Sequence, residues 1–402
     1  MKTCTAGHPD KDSRMYRTLI FIVAALFSVI SNAADQGVSG DTIKVGQVSD
    51  MSGATAVWGV PTTNGSRMRI DEANAAGGVH GRKIELIVED GQYQVPVSVK
   101  ASNKLLNRDK VFVMLGNMGT PMNNAMLPRQ LRMGVANLFP VTAAVSMYEP
   151  LHPMKFSYYV SYRDQIRSAV SYMAEKTGAT KVCMQTQATD YGHESELGYE
   201  QAVEALGLES VYLGRHKVTE TDFVGTVTRM KNSGCEILFI GTIVTDTIQL
   251  YSAARKAGWD IPIVGNMVVQ HPLIATAADG AMEGLFSAGP IVNLDYTSPE
   301  YEGEWIGEWY DRYVERFGEE PVAQAQVAYV TADLMIRAME AAGPDLTTEK
   351  MLAELEKIKN YVDPFGGQTL TFGPDKHQGS NSLFWSQIVD GKWVVLEKDL
   401  PY

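Results

Sequence analysis

Apolar and polar residues alternate from Thr42 to Ser49, the period of a half-buried strand, and Asp50-Met51-Ser52-Gly53 turns the chain behind it. Apolar positions then fall at helical spacing from about residue 61 to 74, and Gly77-Gly78 ends that run. The same change of period repeats: strand 84–90, helix 97–107, strand 111–115, a helix to about residue 131, and strand 134–139. After a helix at about 163–176 the rhythm restarts. Strands at 181–185, 210–214, 236–241 and 261–265 alternate with helices at 191–206, 222–232 and 245–257. Strand–helix alternation of this kind predicts an α/β fold with two doubly wound parallel-sheet lobes. No sequence identity links the halves, so the repeat is architectural.

Beyond Gly284 the pattern changes to longer helices at about 300–317, 322–342 and 348–359, and the chain ends in short strands around Gly391-Lys392. Segments 156–162, 285–291 and 371–374 read as crossings between the lobes. They divide the chain into residues 34–157 plus 288–372 for the first lobe and 158–287 plus 373–402 for the second. Two lobes joined by several crossings form a hinge and a cleft. Trp305, Trp309, Tyr310 and Tyr313 share one helical stripe, which predicts core packing and not a ligand box.

Val111 to Ala125 is the stretch on which a ligand site would be built. Five apolar residues suit a buried parallel strand, and Gly116 and Gly119 permit a tight turn. Thr120 and Pro121 then open a helix as N-cap and first helical residue. Free N–H groups at such a helix start point into the crevice outside the strand ends. No P-loop lysine motif is present, so the turn suits a carboxylate or another small acceptor, not a nucleotide. Taken alone, Thr120 as a plain helix cap is an equal reading.

The length of 402 residues exceeds one core and suits two domains. A net charge of -12 argues against nucleic acid or an anionic membrane surface as partner. Arg14 and Arg17 precede an apolar run from Leu19 to Ile30, followed by Ser31-Asn32-Ala33. This is the pattern of a secretory signal peptide (residues 1–33, cleaved after Ala33), and the run is too short for a permanent span. The polar first fourteen residues are long for such a signal and favour a start at Met15. No cysteine follows the run, so no lipid anchor is expected. Removing residues 1–33 takes away four basic and two acidic residues and leaves -14. Cys183 and Cys235 remain. An oxidising compartment permits a bridge, but both fall on expected strands, where neighbouring parallel strands make one awkward, so the weight falls on two buried thiols.

Asp71-Glu72-Ala73-Asn74-Ala75-Ala76-Gly77-Gly78-Val79-His80-Gly81-Arg82-Lys83-Ile84-Glu85-Leu86 resembles the opening of type I periplasmic solute-binding proteins of ABC importers. More narrowly it is similar to their leucine/isoleucine/valine-binding branch. Asp50-Met51-Ser52-Gly53, Val88-Glu89-Asp90, the turn at Gly116, Asp190-Tyr191-Gly192 and Ala254-Arg255-Lys256-Ala257-Gly258 follow in the family's order. The resemblance spans the mature chain. It implies a periplasmic, monomeric protein that closes its lobes on a small molecule and docks on a membrane permease. It implies no cofactor, no nucleic acid and no stable membrane insertion. It also implies a carboxylate grip at Gly119-Thr120 and Val141-Thr142-Ala143, with Trp58 walling the pocket and Tyr191 entering from the second lobe.

Two positions depart from the family pattern. Ile243 stands where an aromatic is common, and Asn266-Met267 stands where a carboxylate pairs with a ligand ammonium. An unpaired buried charge costs on the order of 3–5 kcal/mol. Trp58, Tyr93, Tyr191 and Met267 then favour a flat, apolar ligand with one acidic end. Gln270 and His271 are placed to donate to a second polar group, although His271 before Pro272 also reads as a helix start. A branched-chain amino acid with its counter-charge moved to Asp246 is the alternative. A sensor that passes closure to a membrane receptor is a third reading. No His-Glu-x-x-His, Gly-x-Ser-x-Gly or Cys-x-x-Cys constellation supports an enzyme, and His193 beside Glu194 and Glu196 reads as a solvated helix face.

Overall fold

β1 (Thr42–Ser49) sends Ile43 and Val45 to one face of its sheet and Gly46 and Val48 to the other, and both faces are covered. The computed structural model describes residues 1–4, 35–280 and 282–402. The expected signal peptide and its cut after Ala33 lie outside the described residues. Among the described residues the strands form two sheets. The first is five-stranded: β2 (Lys83–Asp90), β1, β3 (Val113–Leu115), β4 (Ala136–Leu138) and β5 (Lys155–Phe156), all parallel. Helix α1 (Ala56–Ala75) covers one face. On the other lie α2 (Val95–Lys104) and α3 (Thr120–Arg132), whose Ala101, Met122 and Met126 pack with Val48 and Met114.

The second sheet is seven-stranded. Its parallel part is β7 (Glu209–His216), β6 (Lys181–Gln187), β8 (Ile237–Gly241), β9 (Ile263–Asn266) and β10 (Phe286–Gly289). The antiparallel β11 (Leu383–Val389) and β12 (Lys392–Leu400) complete it. Phe239 faces α4 (Tyr162–Thr177) and α5 (Asp190–Leu206). Leu238 and Ile240 face α6 (Val224–Asn232) and α7 (Val244–Lys256). Strands buried on both faces explain their near-continuous apolar sequence.

The fold departs from the expected boundaries in places that matter. Ala288 and Gly289 belong to β10 and so to the second sheet, although the first lobe was expected to resume at residue 288. The last strands, expected short, are seven and nine residues long because they pair with each other as a hairpin. Helix α1 begins at Ala56 and not near residue 61, so Trp58 lies in its first turn. Pro61 is inside the helix. Its missing N–H leaves the carbonyl of Val57 without the usual helical donor.

Four further elements complete the chain: the short α8 (Pro272–Ala275), then α9 (Trp305–Phe317), α10 (Ala323–Ala341) and α11 (Thr348–Leu355). Trp309 and Tyr313 of the aromatic stripe are fully buried against Phe365 and Tyr329, whereas Trp305 is partly exposed. Helix α10 lies along α1, so close at Gly65 that an added Cβ would stand 2.1 Å from the Ala325 oxygen. Arg69 donates to Asp333 at 2.8 Å across that contact. Two of the crossings run side by side. Ser157 N–H donates to His377 O at 2.8 Å, and Gly379 N–H returns to Ser157 O at 2.9 Å.

Cys183 and Cys235 are bridged, which corrects the expectation of two free thiols. Cys235 is not on a strand, because β8 starts only at Ile237. Freed from strand geometry, its Cα comes within 5.7 Å of that of Cys183, a normal bridging separation. The closed loop spans 52 residues. Reducing the bridge should therefore lower unfolding stability by about 2–4 kcal/mol. Denaturant titration with and without reductant checks this, and superimposable curves would remove the bridge from the stability account.

Candidate functional site

Every parallel strand near the middle of the two sheets ends at one shared cleft, and the residues just past those ends line it. From the first lobe come Thr55 and Trp58 after β1, Tyr93 after β2, Met118, Gly119 and Thr120 after β3, and Val141 after β4. From the second come Tyr191 after β6, Ile243 after β8, and Met267 and Val268 after β9. Tyr159 and Tyr162 enter from the crossing, and Gln324 from the start of α10. The lobes are closed on the cavity: its free volume is about 50 Å³, below the usual range of small-ligand pockets.

The β3–α3 turn is shaped by Gly119, whose φ of +84° favours glycine. An added Cβ would stand 2.8 Å from the Tyr93 ring and nearer still to Met122. Gly119, and not Thr120, is the N-cap of α3, and no side chain caps that helix. This corrects the reading of Thr120 as a cap. Its hydroxyl is instead 2.7 Å from that of Thr142, and both are buried. Thr142 is thus one layer behind the wall. Ala143 is deeper, its carbonyl accepting the N–H of Tyr162 at 2.9 Å. At the start of α3, Pro121 has no N–H and Asn123 N–H donates to Gly119 O at 3.1 Å, so the N–H groups of Thr120 and Met122 are the ones without a helical acceptor.

The second-lobe wall is held by a polar network. The Tyr191 phenol donates to Thr242 O at 3.0 Å and lies 3.2 Å from Asn266 Oδ1. Burial raises the Tyr191 pKa well above the usual phenol value, so it stays protonated. Asn266 is turned inward and accepts from Val268 N–H, while Gln165 Oε1 accepts the N–H of Met267 at 2.9 Å. Gln270, expected in the site, is buried behind Met267 against Gly289 and does not line the cavity. Asp246 does not line it either. Its carboxylate accepts from Ile243 N–H, Gln187 Nε2 and His216 Nε2, each at 2.8 Å.

The lips of the cleft meet. Trp58 and Met118 pack into one apolar cluster with Val244, Val269 and Ile274 of the second lobe. His271 lies edge-on to Trp58 at 4.8 Å between ring centroids. Its Nδ1 accepts from Leu273 N–H, so it does start a helix, and its Nε2 donates to Val57 O at 3.2 Å. That carbonyl is the one Pro61 leaves free. At the other lip Val145 N–H donates to Glu194 Oε1 at 3.2 Å, and Asn124 donates to Asp190 at 2.7 Å. Glu194 Oε2 is buried without a partner among the described residues. His193 beside it is exposed, as expected of a solvated helix face, whereas Glu194 itself turns into the lip. Burial pushes its pKa up to about 7, and burial pulls that of His271 down to about 4.

Sequence reasoning missed Thr55, Met118, Tyr159, Tyr162, Val268 and Gln324. The tyrosines had a signal in the crossing at 156–162, because a crossing must border the cleft. Gln324 had none, because its place depends on how α10 returns to α1.

The sequence pattern of the periplasmic binding proteins matches residues 42–392. The leucine-, isoleucine-, valine-, threonine- and alanine-binding protein of Pseudomonas aeruginosa is 23% identical over 261 residues, 65% of this chain and 70% of that protein. The Leu/Ile/Val-binding protein of Escherichia coli is 22% identical over 268 residues, 67% and 71% of the two chains. Among solved structures, a fatty acid ABC transporter substrate-binding protein from Thermomonospora curvata superposes with a TM-score of 0.82. It is 23% identical, with 92% of this chain and 95% of that one covered. A branched-chain amino acid transporter substrate-binding protein from Streptococcus pneumoniae, in complex with isoleucine, gives 0.74 at 21% identity, covering 88% and 98%. At these identities the solved structures share the fold, and the ligand is a separate question. The match runs through both sheets and all the cavity-lining turns, and the chain belongs to the periplasmic binding protein family, in the branch of the leucine/isoleucine/valine-binding proteins, which bind solutes and are not enzymes.

Proposed function

We propose that the protein captures a small apolar carboxylate, aromatic or aliphatic, outside the cytoplasm and delivers it to the permease of an ABC-type importer. One observation carries the ligand class: among the described residues no Asp, Glu, Lys, Arg or His lines the cavity. A buried ammonium there would lack a counter-charge, and Asp246 is already committed to His216 and Gln187. A carboxylate fares differently. With Thr142 donating to Thr120, the Thr120 hydroxyl can donate onward to the ligand, and the α3 N-terminus adds N–H groups and the positive end of its dipole. Trp58, Tyr93, Tyr159, Met118 and Met267 suit the apolar body.

The name of the Thermomonospora neighbour favours an apolar acid. The names of the Pseudomonas and Escherichia relatives favour a branched-chain amino acid as the second reading. That reading requires Asp246 to exchange partners on binding. Among the described residues no helix is long and apolar enough to cross a membrane. Closure itself is selected by ligand contacts made to both lobes at once.

A thermal-shift panel separates the ligand readings. Benzoate- and cinnamate-type acids should raise the melting temperature of the mature protein by a few degrees, as about 2.7 kcal/mol at 100 times the dissociation constant would. A shift with leucine, isoleucine or valine alone would reverse the choice. Thr120→Ala should weaken the bound acid by roughly 1–3 kcal/mol in a calorimetric titration, the range for a hydrogen bond to a charged group. Unchanged affinity would take Thr120 out of the site.

The lips give the pH response. Opening returns Glu194 from about 7 to its ordinary 4.5, so closure takes up a proton. It is unopposed below 4.5 and increasingly opposed as pH rises to 7. Arg163, Asp164 and Glu149 are the charged groups beside it. Opening returns His271 from about 4 to 6.5, so closure sheds a proton and is opposed as pH falls from 6.5 toward 4. Between about 4.5 and 6.5 the slopes oppose, and wild-type affinity should change little. Glu194→Gln should leave affinity falling with acidification, and His271→Asn should leave it falling with rising pH. Each slope is limited to about tenfold per pH unit for one proton. Parallel titration profiles for all three proteins would take both lips out of the closing step.

A further inference from the structure

Gln324 is 4% exposed and lines the cavity from the first turn of α10. Its Oε1 is buried with no hydrogen-bond partner among the described residues. Buried amides are normally paired, so an unpaired one in a ligand cavity points to a partner that arrives with the ligand. Of the other polar groups of the wall, Thr55 Oγ1 donates to Asp50 at 2.7 Å, the Tyr191 phenol donates to Thr242, and the Thr120 hydroxyl is paired with Thr142 and keeps a hydrogen bond for the ligand carboxylate, while the phenols of Tyr93 and Tyr159 make no hydrogen bond among the described residues. Other unpaired glutamine oxygens among the described residues, those of Gln185, Gln187, Gln249 and Gln270, belong to residues that do not line the cavity. The backbone under Gln324 is fixed, because the next residue is pressed against Gly65 of α1. The amide is therefore presented from a rigid base.

We infer that Gln324 is a second polar anchor, and that the ligand is a bifunctional acid: an apolar carboxylate carrying one uncharged hydrogen-bonding group, best a hydroxyl. This rests on the carboxylate reading above and narrows it. The two anchors belong to different walls, Thr120 to the turn after β3 and Gln324 to the helix packed on α1. An ionised second group is disfavoured because no side chain of opposite charge lines the cavity. A hydroxyl both donates and accepts, so it satisfies the amide in either orientation. A site built to pair a hydroxyl discriminates against the analogue without it, because the site's own polar group is then left unpaired.

Calorimetric titration of the mature protein with matched acids tests the inference: benzoate against 4-hydroxybenzoate, and cinnamate against 4-hydroxycinnamate. The hydroxylated member of at least one pair should bind wild type about tenfold tighter or more than its parent. Gln324→Met keeps the bulk and removes the amide. It should bring the pair within about threefold, and Gln324→Ala should do the same if the methionine disturbs packing. Thr120→Ala should weaken both members alike. Parent acids that bind with no hydroxyl preference, or a preference that survives both Gln324 variants, would overturn the role of Gln324 and leave the carboxylate reading standing. Binding of none of the four acids, beside a melting shift with leucine, would overturn both.

Discussion

The left-handed backbone at Gly119 is the constraint on which the site depends. With φ at +84°, the chain leaves β3, clears the Tyr93 ring and enters α3 within a few residues. That path turns Thr120 across to Thr142 at the start of α3. A side chain at Gly119 would meet strained backbone, the Tyr93 ring and Met122 together, so the wall cannot be rebuilt around another residue without moving all three.

The second lobe completes the cavity by withholding charge. Asp246 accepts from His216 Nε2 at 2.8 Å, below the surface of the wall. Asn266 and Gln165 spend their amides on Val268, Ser195 and Met267, so the surface they present is Met267 and Ile243. Polar residues thus fix the position of an apolar surface. This arrangement keeps a low-dielectric cavity in register without offering it a counter-ion.

Part of this was legible from strand ends. Thr42–Ser49 could be bounded because its alternation is sharp, and Thr120 could be named because it follows a strand's carboxyl end, where ligands collect in doubly wound sheets, whereas Trp58, Tyr191, Ile243 and Met267 were named through the resemblance to the family. Depth was not legible. Thr142 and Ala143 lie behind the wall and Gln270 turns away from it, since one residue of twist in a loop moves a side chain from the surface to the interior. Gln324 and Tyr159 come from segments brought in by long-range chain return, which local periodicity does not encode. Cys235 was misplaced for a related reason: β8 begins at Ile237, two residues beyond Cys235, and leaves it in the preceding turn.

Pro61 has a consequence for how the two lobes recognise each other. By lacking an N–H it strips Val57 of its helical donor, and the second lobe fills the vacancy through His271. The first-lobe partner in that contact is a backbone carbonyl, so the side chain at position 57 is free to drift. The sequence requirement is displaced by one helical turn to position 61. Among homologous sequences, the pair expected to vary together is 61 with 271, two residues whose side chains need never touch.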